Sequence, residues 1–238
     1  MSRTSGYSWG SLDHALNSSD SPHIVYFDDY DDSLYHAAGS NGSWVTTKIK
    51  SDAGYYSAGY SSSSIAIDSD DGLHVSYYER FGRDLEYAYL GFGDTSWTIT
   101  ADVAGGSTSY YFGADSSIGL DSNGKPRIAY WEPSFNDLEF ASCDSSCDSA
   151  SSWEIRTLAE DGTTGQYVEM SIDQNDIVHM GYYNSSSSTV NYLAIRDGPL
   201  LTQIGEVGSH HTMARIHREP CNMQNGTDTH GPCPQLTR

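Results

Sequence analysis

Carboxylates and aromatic rings recur at fixed offsets along this chain. Asp28, Glu79 and Glu132, with Asn184 in the fourth place, each stand two residues after a Tyr (Tyr26, Tyr77, Tyr130 and Tyr182). Tyr30, Phe81 and Phe135 follow close behind. A second set of rings, Tyr55, Tyr56, Tyr60, Tyr110, Tyr111, Phe112 and Tyr167, lies in segments rich in Ser and Gly. Rings flanked by carboxylates suit sugars, whose C–H faces stack on the ring while hydroxyls donate to the carboxylate. The same mixture of Tyr and Ser suits an adaptable protein-binding surface. The residues expected to bind a ligand are therefore Tyr30, Phe81, Phe135, Tyr56, Tyr111 and Tyr167, together with Asp28, Glu79 and Glu132. The competing reading packs these rings between structural units or under loops.

Other chemistries find less support. No Ser-His-Asp set, phosphate loop or metalloprotease motif is present, so no catalytic residue is expected. Glu79 and Glu132 have the residue types of a glycosidase acid and base. Their recurrence at one offset points to a structural role instead. Asp68 with Asp70, and Asp173 with Asp176, offer oxygen ligands of the kind calcium takes. Side-chain capping of a turn explains the same residues without a metal. The expectation is no resident cofactor, with calcium as the option.

Cysteine and charge set the surroundings. Cys143 and Cys147 are four apart, and Cys221 and Cys233 twelve apart. Both pairs are expected to form local disulfides, since zinc needs four suitably arranged ligands and short bridges in polar loops fit an oxidising compartment. An extracellular or cell-surface protein is expected, although Met1–Trp9 lacks the apolar core of a secretory leader. Formal charge is −20, from 32 Asp and Glu against 12 Lys and Arg. Such a field repels nucleic acid and anionic lipid. No run approaches the roughly 20 apolar residues of a membrane helix. The partners left are a glycan or a protein.

These residues are positioned by a repeat. Tyr26, Tyr77, Tyr130 and Tyr182 are separated by 51, 53 and 52 residues, as are Leu34, Leu85, Leu138 and Val190. Trp44, Trp97 and Trp153 open a further strand in three copies. In the second copy the alternation predicts strands at 65–68, 73–79, 84–90 and 96–103. In the third it predicts them at 118–121, 126–132, 137–142 and 152–158. Four short strands, tight Asp/Asn/Gly turns and no helical period predict the blade of an all-β propeller. The expected organisation is a propeller over 1–208, with repeats near 11–60, 61–113, 114–166 and 167–208. An irregular tail follows over 209–238. The start falls inside a repeat, since Thr4–Gly10 resembles Thr108–Ala114, which fits a fragment of a longer array or a ring whose seam lies there.

Within a blade the strands are A to D from the axis outward. The middle of strand A is Ala15, Ala66, Gly119 or Ser171. Small residues there fit either tight convergence at the axis or packing against the next blade. His23, His74 and His179 share one position on strand B, with Arg127 in the third copy. Strand B lies away from the axis, so hydrogen bonds between blades are expected rather than a metal ring. The B–C and D–A loops share one face, and they carry the rings named above.

The run Gly72-Leu-His-Val-Ser-Tyr-Tyr followed by Asp84-Leu-Glu-Tyr-Ala resembles repeats of sialidase-like and fucose-lectin-like propellers of microbial proteins. It recurs as Pro22-His-Ile-Val-Tyr-Phe, Pro126-Arg-Ile-Ala-Tyr-Trp and Val178-His-Met-Gly-Tyr-Tyr. The resemblance covers about 5–207. It implies a propeller and, as a first expectation, a non-catalytic glycan- or protein-binding role. A sialidase-like hydrolase and a purely structural repeat segment are the alternatives. Ser40-Asn-Gly-Ser-Trp44 departs from the sialidase Asp-box in lacking its Asp and in the Gly-to-Trp spacing. No arginine sits at a matching sialidase motif.

Overall fold

A computed structural model describes residues 9–28, 30–40, 42–51, 53, 62–105 and 110–196. Hairpin follows hairpin through them. Strands β1 (Trp9–Leu16), β2 (Pro22–Asp28), β3 (Ser33–Ser40) and β4 (Ser43–Lys50) form the first sheet in that order. β5 (Ser63–Ile67), β6 (Leu73–Glu79), β7 (Asp84–Leu90) and β8 (Thr98–Ala104) form the second. β9 (Ala114–Leu120), β10 (Pro126–Glu132), β11 (Asp137–Cys143) and β12 (Trp153–Ala159) form the third. β13 (Thr164–Ile172), β14 (Ile177–Asn184) and β15 (Thr189–Arg196) form the fourth. All pairings are antiparallel, and one turn of 3-10 helix precedes β12.

This is a β-propeller. The inner strands β1, β5, β9 and β13 neighbour one another in chain order, and the second and third sheets each press one face on the sheet before and the other on the sheet after. Val25, Phe27, Leu34 and Ile49 of the first blade pack on Ile65, Val75, Tyr77 and Ala88 of the second. Leu85, Tyr87 and Val103 pack on Ile128, Tyr130, Ala141 and Trp153 of the third. Ala129, Leu138 and Phe140 pack on Val178, Met180, Tyr182 and Leu193 of the fourth. Alternation along each strand thus buries both faces of an inner blade, as a stack of sheets requires.

The predicted B and C strands of the second copy and the B strand of the third coincide with β6, β7 and β10. The inner strands begin earlier than predicted and stop one residue sooner. Their unpaired edge, on the axis side, is held by the preceding blade: Ile65 N–H donates to Asp13 Oδ2 (2.9 Å), Ile118 N–H to Ser64 Oγ (3.2 Å) and Met170 N–H to Ser117 Oγ (3.1 Å). The small residues of strand A answer to the next blade. A Cβ on Gly119 would lie 3.2 Å from Ile172 Cγ1. Ala15 and Ala66 sit in the seams between blades one and two and between two and three. Residues 197–208 of the fourth repeat fall outside the described residues, as do Cys221, Cys233 and the tail. Among the described residues, no helix is long and apolar enough to cross a membrane.

Candidate functional site

The B–C loops show what the recurring acids do. Asp28 Oδ1 accepts the Tyr30 N–H at 3.0 Å. Glu79 accepts the N–H groups of Phe81 (3.1 Å) and Gly82 (2.5 Å). Glu132 accepts those of Ser134 (3.1 Å) and Phe135. Asn184 Oδ1 accepts those of Ser186 (3.0 Å) and Ser187 (3.1 Å). All four side chains are buried beneath their own loops. Burial pushes the Glu132 carboxyl above its usual range, and the two N–H groups counter the push. Asp28, Glu79 and Glu132, expected from sequence among the ligand-binding residues, thus each cap their own loop through these bonds. Buried backbone donors in a tight loop need an acceptor, and a side chain two residues before the tip is the one in reach.

With the polar side fixed inward, the rings of the first three tips point out, as does Tyr167 on β13. Tyr30, Phe81, Phe135 and Tyr167 are 63%, 59%, 60% and 72% exposed. Phe135 stacks on Tyr110 with ring centres 5.4 Å apart and planes 24° from parallel, which makes a two-ring platform. The Arg83 guanidinium lies 4.5 Å from the centre of the Tyr111 ring, and the Tyr111 N–H donates to Ser134 Oγ at 2.7 Å. The Arg80 guanidinium covers Phe81 at 5.1 Å and pairs with Asp32 of the first blade at 3.6 Å. Tyr167 adopts the left-handed backbone region (φ 54°), where its N–H reaches Asp115 Oδ2 at 2.9 Å. Tyr56, also expected here, lies outside the described residues with Tyr55 and Tyr60.

A cleft of about 470 Å³ opens between the third and fourth blades. Leu158 and Leu193 give it an apolar side, and Tyr182, Asn191, Thr189, Glu160 and Asp161 supply hydroxyl, amide and carboxylate groups. The sequence reading missed this cleft. The signal was one substitution: Asn191 stands where the second and third copies carry Glu86 and Glu139.

The opposite face, formed by A–B and C–D turns, is occupied by internal networks. Asp68, Asp121 and Asp173 each accept two N–H groups of their own turn through Oδ1. The turn-capping account of these acids therefore holds, and their second oxygens turn to strand B. His74 joins Asp68 Oδ2 (3.1 Å) to the Tyr87 hydroxyl (2.7 Å). His179 joins Asp173 (3.5 Å) to Tyr192 (2.5 Å). Arg127 spans Asp121 (2.9 Å) and Asp144 (2.7 Å). His23 meets His36 at 2.9 Å. The predicted bonds between blades are thus bonds within a blade, because residues 13 apart on strands B and C are diagonal neighbours on one face of the sheet. Burial lowers His74, and it drives His36 down to about 4 with help from His23. Cys143 and Cys147 are bonded in the C–D turn of the third blade. The Cys147 carbonyl accepts from Thr100 of the second blade (2.7 Å) and from the Trp153 indole (3.2 Å). Among the described residues, no three His, Cys, Asp or Glu are grouped to hold a metal ion.

No family model matches the chain, and no curated protein matches it in sequence. Solved structures match it in fold. The SapL1 lectin in complex with α-methyl fucoside has a TM-score of 0.60 at 12% identity, over 84% of this chain and 63% of that one. An Aleuria aurantia lectin in complex with Fucα1-6GlcNAc has a TM-score of 0.54 at 13% identity, over 84% and 62%. A Hadza microbial sialidase has a TM-score of 0.53 at 11% identity, over 82% and 46%. This chain therefore spans about three-fifths of the lectins' length or less than half of the sialidase's. At such identities the likeness is one of fold, and a propeller hosts many functions.

Proposed function

We propose that this chain is a non-catalytic glycan-binding propeller, secreted or displayed at a cell surface, and that it engages sugar through the B–C and D–A loop face. The observation that carries the reading is the exposed, stacked Tyr110–Phe135 ring pair, and the cleft of Tyr182, Asn191 and Glu160 between the third and fourth blades adds polar groups. Stacked rings offer a flat apolar surface to the C–H face of a pyranose, and the cleft offers acceptors and donors for its hydroxyls. Solvent-exposed aromatics cost solubility, so rings that the fold leaves outside invite a ligand-based explanation. The fucoside-bound lectins of the same fold make α-fucosides the first ligands to try. A sialidase-like hydrolase has less support, because Glu79 and Glu132 are held under loops by their own backbone donors. The disulfide supports an oxidising compartment.

A glycan array followed by calorimetric titration of the hits tests the reading. The expected result is saturable binding that Phe135→Ala and Tyr110→Ala weaken at least tenfold, with an unchanged melting temperature. Binding that ignores both substitutions would remove this face, and turnover of fluorogenic glycosides would favour the hydrolase.

A further inference from the structure

The repeat shows what each position does when it has a neighbouring blade. The last blade keeps those residues where no blade among the described residues covers them. Leu34, Leu85 and Leu138 are each 0% exposed, sealed by the following blade, whereas Val190 at the same position is 55% exposed. A Cβ on Gly181 would meet nothing within 4 Å. Its equivalents Val25 and Ala129 are fully buried. Tyr183 and Tyr192 are half-buried, while their counterparts Phe27, Tyr78, Trp131 and His36, Tyr87, Phe140 are buried.

The first blade shows the complementary face. Leu16 is 56% exposed, although Ile67, Leu120 and Ile172 at that position are partly covered. Ile24 is half-buried, whereas Val75, Ile128 and Met180 are sealed. Trp97 packs edge-on against His36 of the preceding blade (5.6 Å), and Trp153 packs likewise against Tyr87 (5.1 Å). Trp44 is the same residue in the first blade, and it is 38% exposed.

We infer that the trailing face of the fourth blade docks the leading face of the first blade of a second copy of this chain. The two faces are complementary by the repeat itself. Trp44 of one copy finds Tyr192 of the other, as Trp97 finds His36 and Trp153 finds Tyr87. The turns repeat the logic. Ser18 donates to Asp71 across one seam, and Ser122 donates to Asp176 across another (2.7 Å for each hydroxyl). Asp20 occupies the acceptor position of the first blade and Gln174 the donor position of the fourth. The chain's own remainder does not match this pattern, since residues 209–238 lack a further copy of the repeat and are poor in apolar residues. A head-to-tail contact joins two different faces, so it either closes a ring or extends. With a net charge of −20 on each copy, added salt should strengthen it.

The test is the mass of the full chain in solution, by light scattering after size exclusion, at moderate salt. Wild type is expected at two or more times the chain mass of 26.0 kDa. Leu16→Glu and Trp44→Ser spoil the leading face, and Val190→Glu spoils the trailing face. Each variant alone should run as a monomer with an unchanged melting temperature, because these positions are solvent-facing. A mixture of Leu16→Glu and Val190→Glu should regain a two-chain species, since each variant still brings one intact face. A monomeric wild type, a variant that keeps the wild-type mass, or a mixture that stays monomeric would overturn the inference.

Discussion

The seam between blades one and two and the seam between two and three are built on the same residues and close differently. In the first, the Tyr77 hydroxyl donates to Glu86 at 2.5 Å, and Lys50 of the preceding blade reaches both oxygens of that carboxylate at 2.5 and 2.6 Å. In the second, Tyr130 and Glu139 hold the equivalent positions, but Thr157 bonds Glu139 at 2.8 Å. The buried Tyr130 hydroxyl has no hydrogen-bond partner among the described residues. Burial, with Asp137 and Glu132 nearby, pushes the Glu139 carboxyl upward. One cation from the neighbouring blade decides whether a repeated Tyr–Glu pair is a closed network or an apolar contact with a polar remnant. Equal positions in a repeat therefore share a fold role, not a chemistry.

The largest effect should be common to both seams. Both rings are fully buried, so Tyr77→Ala and Tyr130→Ala should each cost about 3–5 kcal/mol in urea unfolding. If one ring were dispensable, the seams would not be packing equivalents.

Acid should then separate them. His36 and Tyr87 hold the same position, and only His36 can gain a proton. His36 is neutral in the fold with a pKa of about 4 against an ordinary 6.5, so the unfolded chain binds a proton first as pH falls. That stability is complete above pH 6.5 and is lost toward pH 4, a difference on the order of 3 kcal/mol. His36→Gln should abolish this part of the pH dependence, and Tyr87→Phe should leave it intact. Equal pH profiles for wild type and His36→Gln would contradict the assignment.

Removing a single oxygen sharpens the contrast. Tyr77→Phe breaks a hydrogen bond to a charged group and should cost about 1–3 kcal/mol. Tyr130→Phe removes a buried hydroxyl without a partner, and thermal melting should show no loss or a small gain. A comparable loss in both variants would mean that Tyr130 is bonded after all.

The smallest effects on stability belong to the loop tips. Tyr30→Ala and Phe81→Ala should change the unfolding free energy by less than about 1 kcal/mol, as surface substitutions do. Their readout is binding to a glycan identified on the array.

Much of the blade was legible because strand alternation and turn chemistry act over a few residues. Leu73–Glu79 and Asp84–Leu90 could be delimited from apolar alternation and from the Asp and Gly at their ends. Tip rings such as Tyr30 and Phe81 were legible as surface residues because the third and fourth copies place Ser134 and Ser186 there. The loop-capping bonds of the recurring acids were not legible. A carboxylate near a ring looks the same in sequence whether it faces water or its own loop, and only the closure of the loop chooses.

Sequence by itself determined the repeat, the four blades and the B and C strands of the second copy, since each depends on patterns inside about 50 residues. It also determined which loops share a face, since antiparallel hairpins alternate ends. Tertiary structure decided the rest. It directed the His74 and His179 rings within their blades, gave Lys50 to Glu86, and opened the cleft beside Asn191. It left Val190 and Leu16 uncovered. These outcomes depend on which side chain of a neighbouring blade stands opposite, across about 50 residues of chain, and periodicity carries no information about that meeting.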